Sequence, residues 1–155
     1  MKFTVEKVAG YMHCIQLDNK TVAKLTAGNN KRVRCTLNKT IIIHAAIMRT
    51  KEGIHYIMIA AKHLKQLKIN AGSIIDAVIK KDNSELQFHI PEEFKEVFAT
   101  DPEAEKIFNS LTDGNKRGLV ALVNMVKSSD KKIERALKIS ERLKLGITAP
   151  QKIMK

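Results

Sequence analysis

The sequence of 155 residues contains no tryptophan, two cysteines and three prolines. No apolar run approaches the ~18 residues that a membrane-spanning helix needs. No apolar signal region stands near the first residue, and two cysteines do not make a disulfide framework. These absences argue against a helical membrane protein and a disulfide-stapled secreted domain. We therefore expect a cytoplasmic protein in a reducing compartment.

Chemical motifs are also missing. There is no glycine-rich phosphate loop, no Gly-x-Ser-x-Gly and no His-Glu-x-x-His. His13, Cys14, Cys35, His44 and His55 lack the short ligand spacing that is typical of zinc sites. Aromatic residues make up only 5% of the chain, which leaves few platforms for base stacking. We predict a binding protein that is not an enzyme, with no metal and no cofactor.

Positive charge is what the sequence has in excess. Its 28 Lys and Arg stand against 16 Asp and Glu, a net charge of +12. Residues 1–90 carry a net +9, residues 91–115 a net −5 and residues 116–155 a net +8. An acidic connector thus separates two basic segments, and a shift of this kind often marks a boundary between substructures. The excess predicts an anionic partner, either nucleic acid or an acidic surface.

Residues 1–90 show short apolar runs broken by turn residues. Arg32–Leu37 alternates strictly, which predicts a half-buried strand, and Asn38-Lys39 predicts a two-residue hairpin turn. Asp76 is predicted to lie on the outer face of a strand. Strands are predicted over 3–8, 11–17, 32–37, 40–48, 54–60, 74–80 and 86–90, with a short helix over 61–67. The run 40–48 is apolar on both faces, which predicts cover on both sides. We expect a small β-barrel, because closure removes exposed sheet edges.

Residues 91–147 change to helical spacing. Pro91 fits a first helical position and Asp101-Pro102 repeats that start signal. Ser128 is a candidate N-cap and Gly146 a candidate helix end. Three or four helices are predicted, with apolar stripes that include Leu137 as a core residue, and the tail 148–155 is expected to be loose.

Basic side chains crowd the last long helix. They are Lys127, Lys131, Lys132, Arg135, Lys138 and Arg142. One interpretation is a solvated face that keeps the protein soluble. The other is a site for a phosphate backbone or an acidic lipid. Arg32 and Arg34 form a second outward basic pair on the predicted barrel.

The order of landmarks resembles a known family. A predicted barrel leads into a Pro-Glu-Glu-Phe start, then TDPEAEKIFNSL, then KRGLVALVNMVKSSDKKIERALKISERLKLG. This arrangement is similar to the YdeI/OmpD-associated (bacteriocin-protection) family with an N-terminal domain of unknown function. The resemblance implies a barrel of the double-split type, shared with AbrB- and MraZ-like proteins, and a link to bacteriocin or antimicrobial-peptide tolerance.

Site residues follow from that resemblance by position. Arg117, Lys127, Lys132 and Arg135 match the basic members of the family pattern. The chain departs from the pattern where it has Val126 for an alanine and Lys131 for a threonine. It also has Leu122 for a frequent aromatic and Gly72-Ser73 for Gly-Asp.

The resulting prediction is an α+β protein, with a β-barrel over 1–90 and a helical segment over 91–147. Its expected function is to bind an anionic partner through Arg117, Lys127, Lys132 and Arg135, in connection with envelope-stress or antimicrobial-peptide tolerance. Two alternatives stay open. One is a dimeric nucleic-acid-binding regulator that uses Arg32 and Arg34 on an AbrB-like barrel. The other is a small-ligand binder or enzyme with a pocket between barrel and helices.

Overall fold

The computed structural model describes residues 1–155 and combines eight strands with seven α-helices. The chain forms two compact units, Met1–Gln87 and Phe88–Lys155. All the strands lie in the N-terminal unit, and the C-terminal unit is helical. The predicted α+β class is confirmed.

The strands of the N-terminal unit form two four-stranded antiparallel sheets. They are β1 (Lys2–Thr4), β2 (Glu6–Val8), β3 (Met12–Leu17), β4 (Arg32–Leu37), β5 (Ile41–Ala46), β6 (Met48–Arg49), β7 (His55–Ile59) and β8 (Ile74–Lys81). The strand orders are β1-β8-β4-β5 and β2-β3-β7-β6. Closure of these sheets into a double-split barrel stays a prediction.

Strand β4 shows how alternation sets the inner and outer faces. Val33, Cys35 and Leu37 are fully buried, while the residues between them are at least partly accessible. The turn that follows has positive φ angles at both Asn38 and Lys39, 45° and 61°. Two such residues make the tight turn whose twist matches a hairpin. The strand and its turn are confirmed as predicted.

Two apolar runs differ from their predictions. The run 3–8 is two strands in different sheets, because buried Val5 bonds through both its N–H and its carbonyl to residues 72–73 of the chain. The run 40–48 is β5 and β6, and Ile42 is 55% exposed. The outer face of that sheet is therefore open, and the predicted cover on both sides is wrong.

Helices in the N-terminal unit are α1 (Asn19–Thr26) and α2 (Ala61–Leu67). Helix α2 is confirmed, whereas α1 was not predicted, because an Asp-Asn pair after a strand is equally typical of a turn. Asp18 instead caps α1, accepting a hydrogen bond from the Thr21 N–H at 2.8 Å. The strand predicted over 86–90 is wrong, since Glu85–Gln87 form a 3-10 turn with a positive φ at Leu86.

The C-terminal unit consists of five helices. They are α3 (Glu92–Ala99), α4 (Pro102–Ser110), α5 (Asp113–Asn124), α6 (Ser129–Lys144) and α7 (Pro150–Ile153). Asp101 and Ser128 are N-caps as predicted, and Pro91 stands one position earlier, at the N-cap of α3. No helix is both long and apolar enough to cross a bilayer.

The core of this unit is built on an aromatic cluster. The ring of Phe94 lies 4.3 Å from that of Phe98 and 5.1 Å from that of Phe108. Leu143 of α6 is buried, whereas Leu137 is 48% exposed. The predicted assignment of Leu137 to the core is therefore wrong, because α6 turns that position toward solvent.

The chain end is packed rather than loose. Residues 150–153 form α7, and Ile153 is fully buried. A Cβ placed on Gly118 of α5 would lie 2.7 Å from Cγ of Pro150. Only glycine thus allows α5 to approach α7 this closely. The predicted loose tail over 148–155 is replaced by a docked helix.

Candidate functional site

Four basic side chains run along one face of α6. Lys131, Arg135, Lys138 and Arg142 stand at spacings of four, three and four residues, and residues three or four apart share a helix face. We call this set the α6 stripe. The sequence predicted a concentration of cations on this helix, and the helical register arranges four of them in one row.

Three members of the α6 stripe donate hydrogen bonds to backbone carbonyls. Arg135 Nη1 lies 2.7 Å from the carbonyl oxygen of Leu122, near the end of α5. Lys138 Nζ and Arg142 Nη2 lie 3.1 Å and 2.8 Å from the carbonyl oxygens of Met154 and Lys155. Carbonyls at helix ends lack helical partners and carry partial negative charge, so cations stabilise them. These three side chains therefore hold helix ends together.

Two further cations of α6 face carboxylates. Lys144 Nζ lies 2.8 Å from the Asp101 carboxylate, and this hydrogen bond lowers the pKa of Asp101 and raises that of Lys144. A hydrogen bond from its own backbone N–H lowers the pKa of Glu93, with smaller contributions from the Ser129 hydroxyl and from nearby Lys132. Lys132 therefore has an acidic neighbour on α3.

The predicted site residues divide among these environments. Arg135 lines a cleft of about 330 Å³ with Lys131, Lys138 and Glu134. Lys127 is exposed in the loop before α6, while Lys132 and Arg117 are half-buried. The structure thus brings Arg135 together with Lys131 and Lys138, and it places Arg117, Lys127 and Lys132 outside the lining of that cleft.

The two residues of the second basic pair, Arg32 and Arg34, also lie in different environments. Arg34 is exposed and stands directly opposite His44 on β5 and Lys80 on β8. These three side chains form a basic row across the outer face of one sheet. Arg32 is half-buried, and its Nε donates to the Gln87 carbonyl oxygen at 3.2 Å.

The N-terminal unit also contains a buried carboxylate that the sequence did not predict. Asp82 is only 1% exposed, and its Oδ2 lies 2.5 Å from His44 Nδ1. Its other oxygen accepts hydrogen bonds from the backbone N–H and the hydroxyl of Ser84. Burial alone would raise the pKa of Asp82, but the hydrogen bonds from Ser84 and His44 outweigh burial and lower it.

Asp82 could have been found only in part from the sequence. An Asp whose side chain accepts from the backbone N–H two residues later is typical of a turn, and Asp82-Asn83 does predict one. The partner, His44, lies 38 residues away. No local spacing reports such a pair.

Other candidate groups have structural explanations. Burial raises the pKa of Cys35 to about 12 and also raises that of Cys14, so both are thiols near neutral pH, whereas the nucleophile is the thiolate. Asp76 is partly exposed and accepts a hydrogen bond from the amino group of Met1 at 3.1 Å. No group of three or more His, Cys, Asp or Glu side chains is placed to hold a metal ion.

Comparison with known families gives two matches that follow one another along the chain. Residues 3–79 match a domain of unknown function, DUF1905, and residues 87–146 match the model described as "Bacteriocin-protection, YdeI or OmpD-Associated". The helical C-terminal part of the chain thus matches the YdeI/OmpD-associated family, and most of the N-terminal unit matches the domain of unknown function. The predicted family resemblance is thus confirmed. No curated protein and no solved structure shows a significant match.

Proposed function

We propose that this YdeI/OmpD-associated protein is a cytoplasmic binding protein that contributes to tolerance of bacteriocins or antimicrobial peptides, and that its partner is an anionic lipid surface. The family description supports the link to bacteriocin protection. The proposed contact surface is centred on Arg117, Lys127, Lys132 and Arg135, extended by Lys131. Each side chain would act as a cationic donor to lipid phosphates.

The observation that carries the proposal is the contrast between anchored and exposed cations. Lys127 and Lys131 are exposed and make no side-chain hydrogen bond or ion pair. Arg135 and Lys138 are held in place by backbone carbonyls. A fixed pair of cations beside two exposed lysines offers diffuse attraction rather than the bidentate recognition for which arginine is suited.

Exposed apolar side chains favour a lipid surface over nucleic acid. Met125, Leu137 and Leu145 are 72%, 48% and 74% exposed, and they stand on α6 or on the segments that flank it. Apolar groups next to cations can enter the boundary between headgroups and acyl chains. Base stacking has little support here, because only 5% of the residues are aromatic.

The test is binding to vesicles with and without anionic lipid, at low and at physiological salt. A basic residue near an anionic surface contributes about 1 kcal/mol, or roughly fivefold in the partition coefficient. We expect the Lys127→Gln/Lys131→Gln variant to bind anionic vesicles at least tenfold more weakly than wild type. Duplex DNA and RNA of equal charge concentration are run in parallel.

A matched control removes the same charge elsewhere. Lys62 and Lys106 are exposed lysines on α2 and α4, and Lys62→Gln/Lys106→Gln should bind vesicles like wild type apart from the general loss of charge. Equal weakening by both double variants would contradict the proposed surface. Binding that ignores salt, or tighter binding to DNA or RNA than to vesicles, would contradict the lipid assignment.

A nucleic-acid-binding regulator is a second candidate, supported by the basic row of Arg34, Lys80 and His44 on one sheet. Here we propose that the two sheets close into an AbrB-like barrel and that two copies present Arg32 and Arg34 on a common face. Salt-dependent duplex binding that Arg34→Gln weakens, together with a dimeric mass in solution, would support this candidate. A monomeric mass would contradict it.

A further inference from the structure

We propose that the N-terminal unit binds a small phosphate-bearing molecule in a cavity lined by Lys31, Arg49 and His55. The site is separate from the α6 stripe, and the proposal does not rest on the function proposed above. The cavity has a volume of about 320 Å³, within the range of small-molecule sites. Its lining contains three basic side chains and no carboxylate.

The fold brings these three side chains together from separate segments. Arg49 of β6 stands directly opposite His55 of β7, and side chains of such cross-strand pairs lie on the same face as neighbours. The carbonyl oxygen of Lys31 accepts a hydrogen bond from the N–H of Ile47 at 2.8 Å. This bond joins Lys31, the residue before β4, to Ile47, which precedes Arg49 by two residues in the chain.

None of the three basic groups is neutralised within the protein. Neither Lys31 nor Arg49 takes part in an ion pair. His55 Nδ1 is buried and has no hydrogen-bond partner. Buried polar groups in native proteins nearly always have partners. His63 Nδ1 on α2 is also buried without one, so what distinguishes His55 is its place in a cavity beside two cations that make no ion pair.

His44 provides the comparison within the same unit. Its Nδ1 lies 2.5 Å from buried Asp82, so the protein itself supplies an anionic partner. At His55 the protein supplies no anionic partner, and two cations line the same cavity. The fold therefore places a carboxylate beside one histidine, whereas the cavity beside the other is lined by cations and neutral groups only.

The charge and shape of the lining favour a phosphate ester. Two neighbouring cations match a phosphate group, which carries about −1.5 to −2 near neutral pH, better than they match a single carboxylate. Val22 and Ile47, both buried, provide an apolar wall, and the hydroxyl of Thr26 is already bonded to the Val22 carbonyl oxygen. The lining thus offers a cationic end for phosphate and an apolar side for a small organic group.

The first experiment is a titration of the full chain with inorganic phosphate, at an ionic strength held constant with chloride. The imidazole resonances of His55 are followed by NMR and assigned with His55→Gln, while affinity is measured by calorimetry. We expect saturable shifts at His55, with acetate binding at least tenfold more weakly. No shift at His55, or equal affinities for phosphate and acetate, would overturn the proposal.

The second experiment tests the two cations. Lys31 and Arg49 are exposed, so Lys31→Gln/Arg49→Gln should fold normally, and we expect it to weaken phosphate binding at least tenfold. The control Lys62→Gln/Lys65→Gln removes the same charge from exposed positions on α2. Comparable loss of binding in the control, or unchanged binding in the first variant, would overturn the assignment of this cavity.

Discussion

The α6 stripe and the Lys31–Arg49–His55 cavity are both basic, but they differ in what their cations contact. In the α6 stripe, Arg135, Lys138 and Arg142 donate to backbone carbonyls of the C-terminal unit. In the cavity, Lys31 and Arg49 make no ion pair, and His55 Nδ1 is buried without a partner. Much of the charge on α6 stabilises the fold, whereas the charge in the cavity is available to a ligand.

The largest effect is expected at α7, which directly precedes the two carbonyls that Lys138 and Arg142 of the α6 stripe contact. Ile153 is fully buried, and truncation of such a residue costs about 2–5 kcal/mol. We expect Ile153→Ala to lower the free energy of unfolding of the C-terminal unit by an amount in this range, measured in denaturant. A change below ~0.5 kcal/mol, the size of an ordinary surface substitution, would show that α7 is not docked.

The next largest effect is expected at Asp82, the internal partner of His44. Removing one member of a buried, hydrogen-bonded pair leaves the other unpaired, at a cost of several kcal/mol. Because His44 is partly exposed, we expect Asp82→Ala to destabilise the N-terminal unit by about 2–3 kcal/mol. The control His55→Ala removes a histidine without a partner and should cost less. Equal costs would contradict the distinction between the two histidines.

Asp82 also predicts the sign of a pH effect. Its pKa in the folded protein lies below the ordinary value of 3.8, so folding favours the ionised form. This stabilisation is fully present above the unfolded pKa and is lost as the pH falls through the folded pKa. The stability difference between wild type and Asp82→Asn should therefore shrink below about pH 3.8. A difference that stays constant or grows in acid would contradict this assignment.

A smaller difference in stability is expected between substitutions at two members of the α6 stripe. Arg135→Met keeps the apolar stem but removes the charged hydrogen bond to the Leu122 carbonyl, which should cost about 1–2 kcal/mol. Lys131 makes no side-chain hydrogen bond or ion pair and is exposed, so Lys131→Met should change stability by less than ~0.5 kcal/mol. Urea unfolding of the two variants side by side measures the difference. Equal values would remove the structural role assigned to Arg135.

The sequence predicted those features that depend on neighbouring residues. Alternation over Arg32–Leu37, the turn at Asn38-Lys39 and the caps at Asp101 and Ser128 were correct, because each depends on a few adjacent side chains. Helix α1 was missed because Asp18 serves equally in a turn and as an N-cap. Its capping bond to Thr21 is visible only in the structure.

Features that depend on residues far apart in the chain could not be predicted from the sequence. The tail over 148–155 has no helical signal strong enough to predict docking, which depends on Gly118 and on a buried position for Ile153. The sequence shows that Arg135 is charged, but it does not show the partner, because the Leu122 carbonyl lies 13 residues earlier. The cavity joins residues from Val22 to His55, and no spacing among Lys31, Arg49 and His55 predicts that they meet.

The central claim, that the cations of the cavity are available to phosphate whereas Arg135 of the α6 stripe serves the fold, is tested most directly by ligand-linked stability. Unfolding of wild type, Lys31→Gln/Arg49→Gln and Arg135→Met is measured in phosphate and in chloride at equal ionic strength. At tenfold excess over its dissociation constant, phosphate should stabilise the N-terminal unit of wild type by about 1.4 kcal/mol. Arg135→Met should keep this gain and Lys31→Gln/Arg49→Gln should lose it. A gain that survives in the cavity variant, or that disappears in Arg135→Met, would contradict the claim.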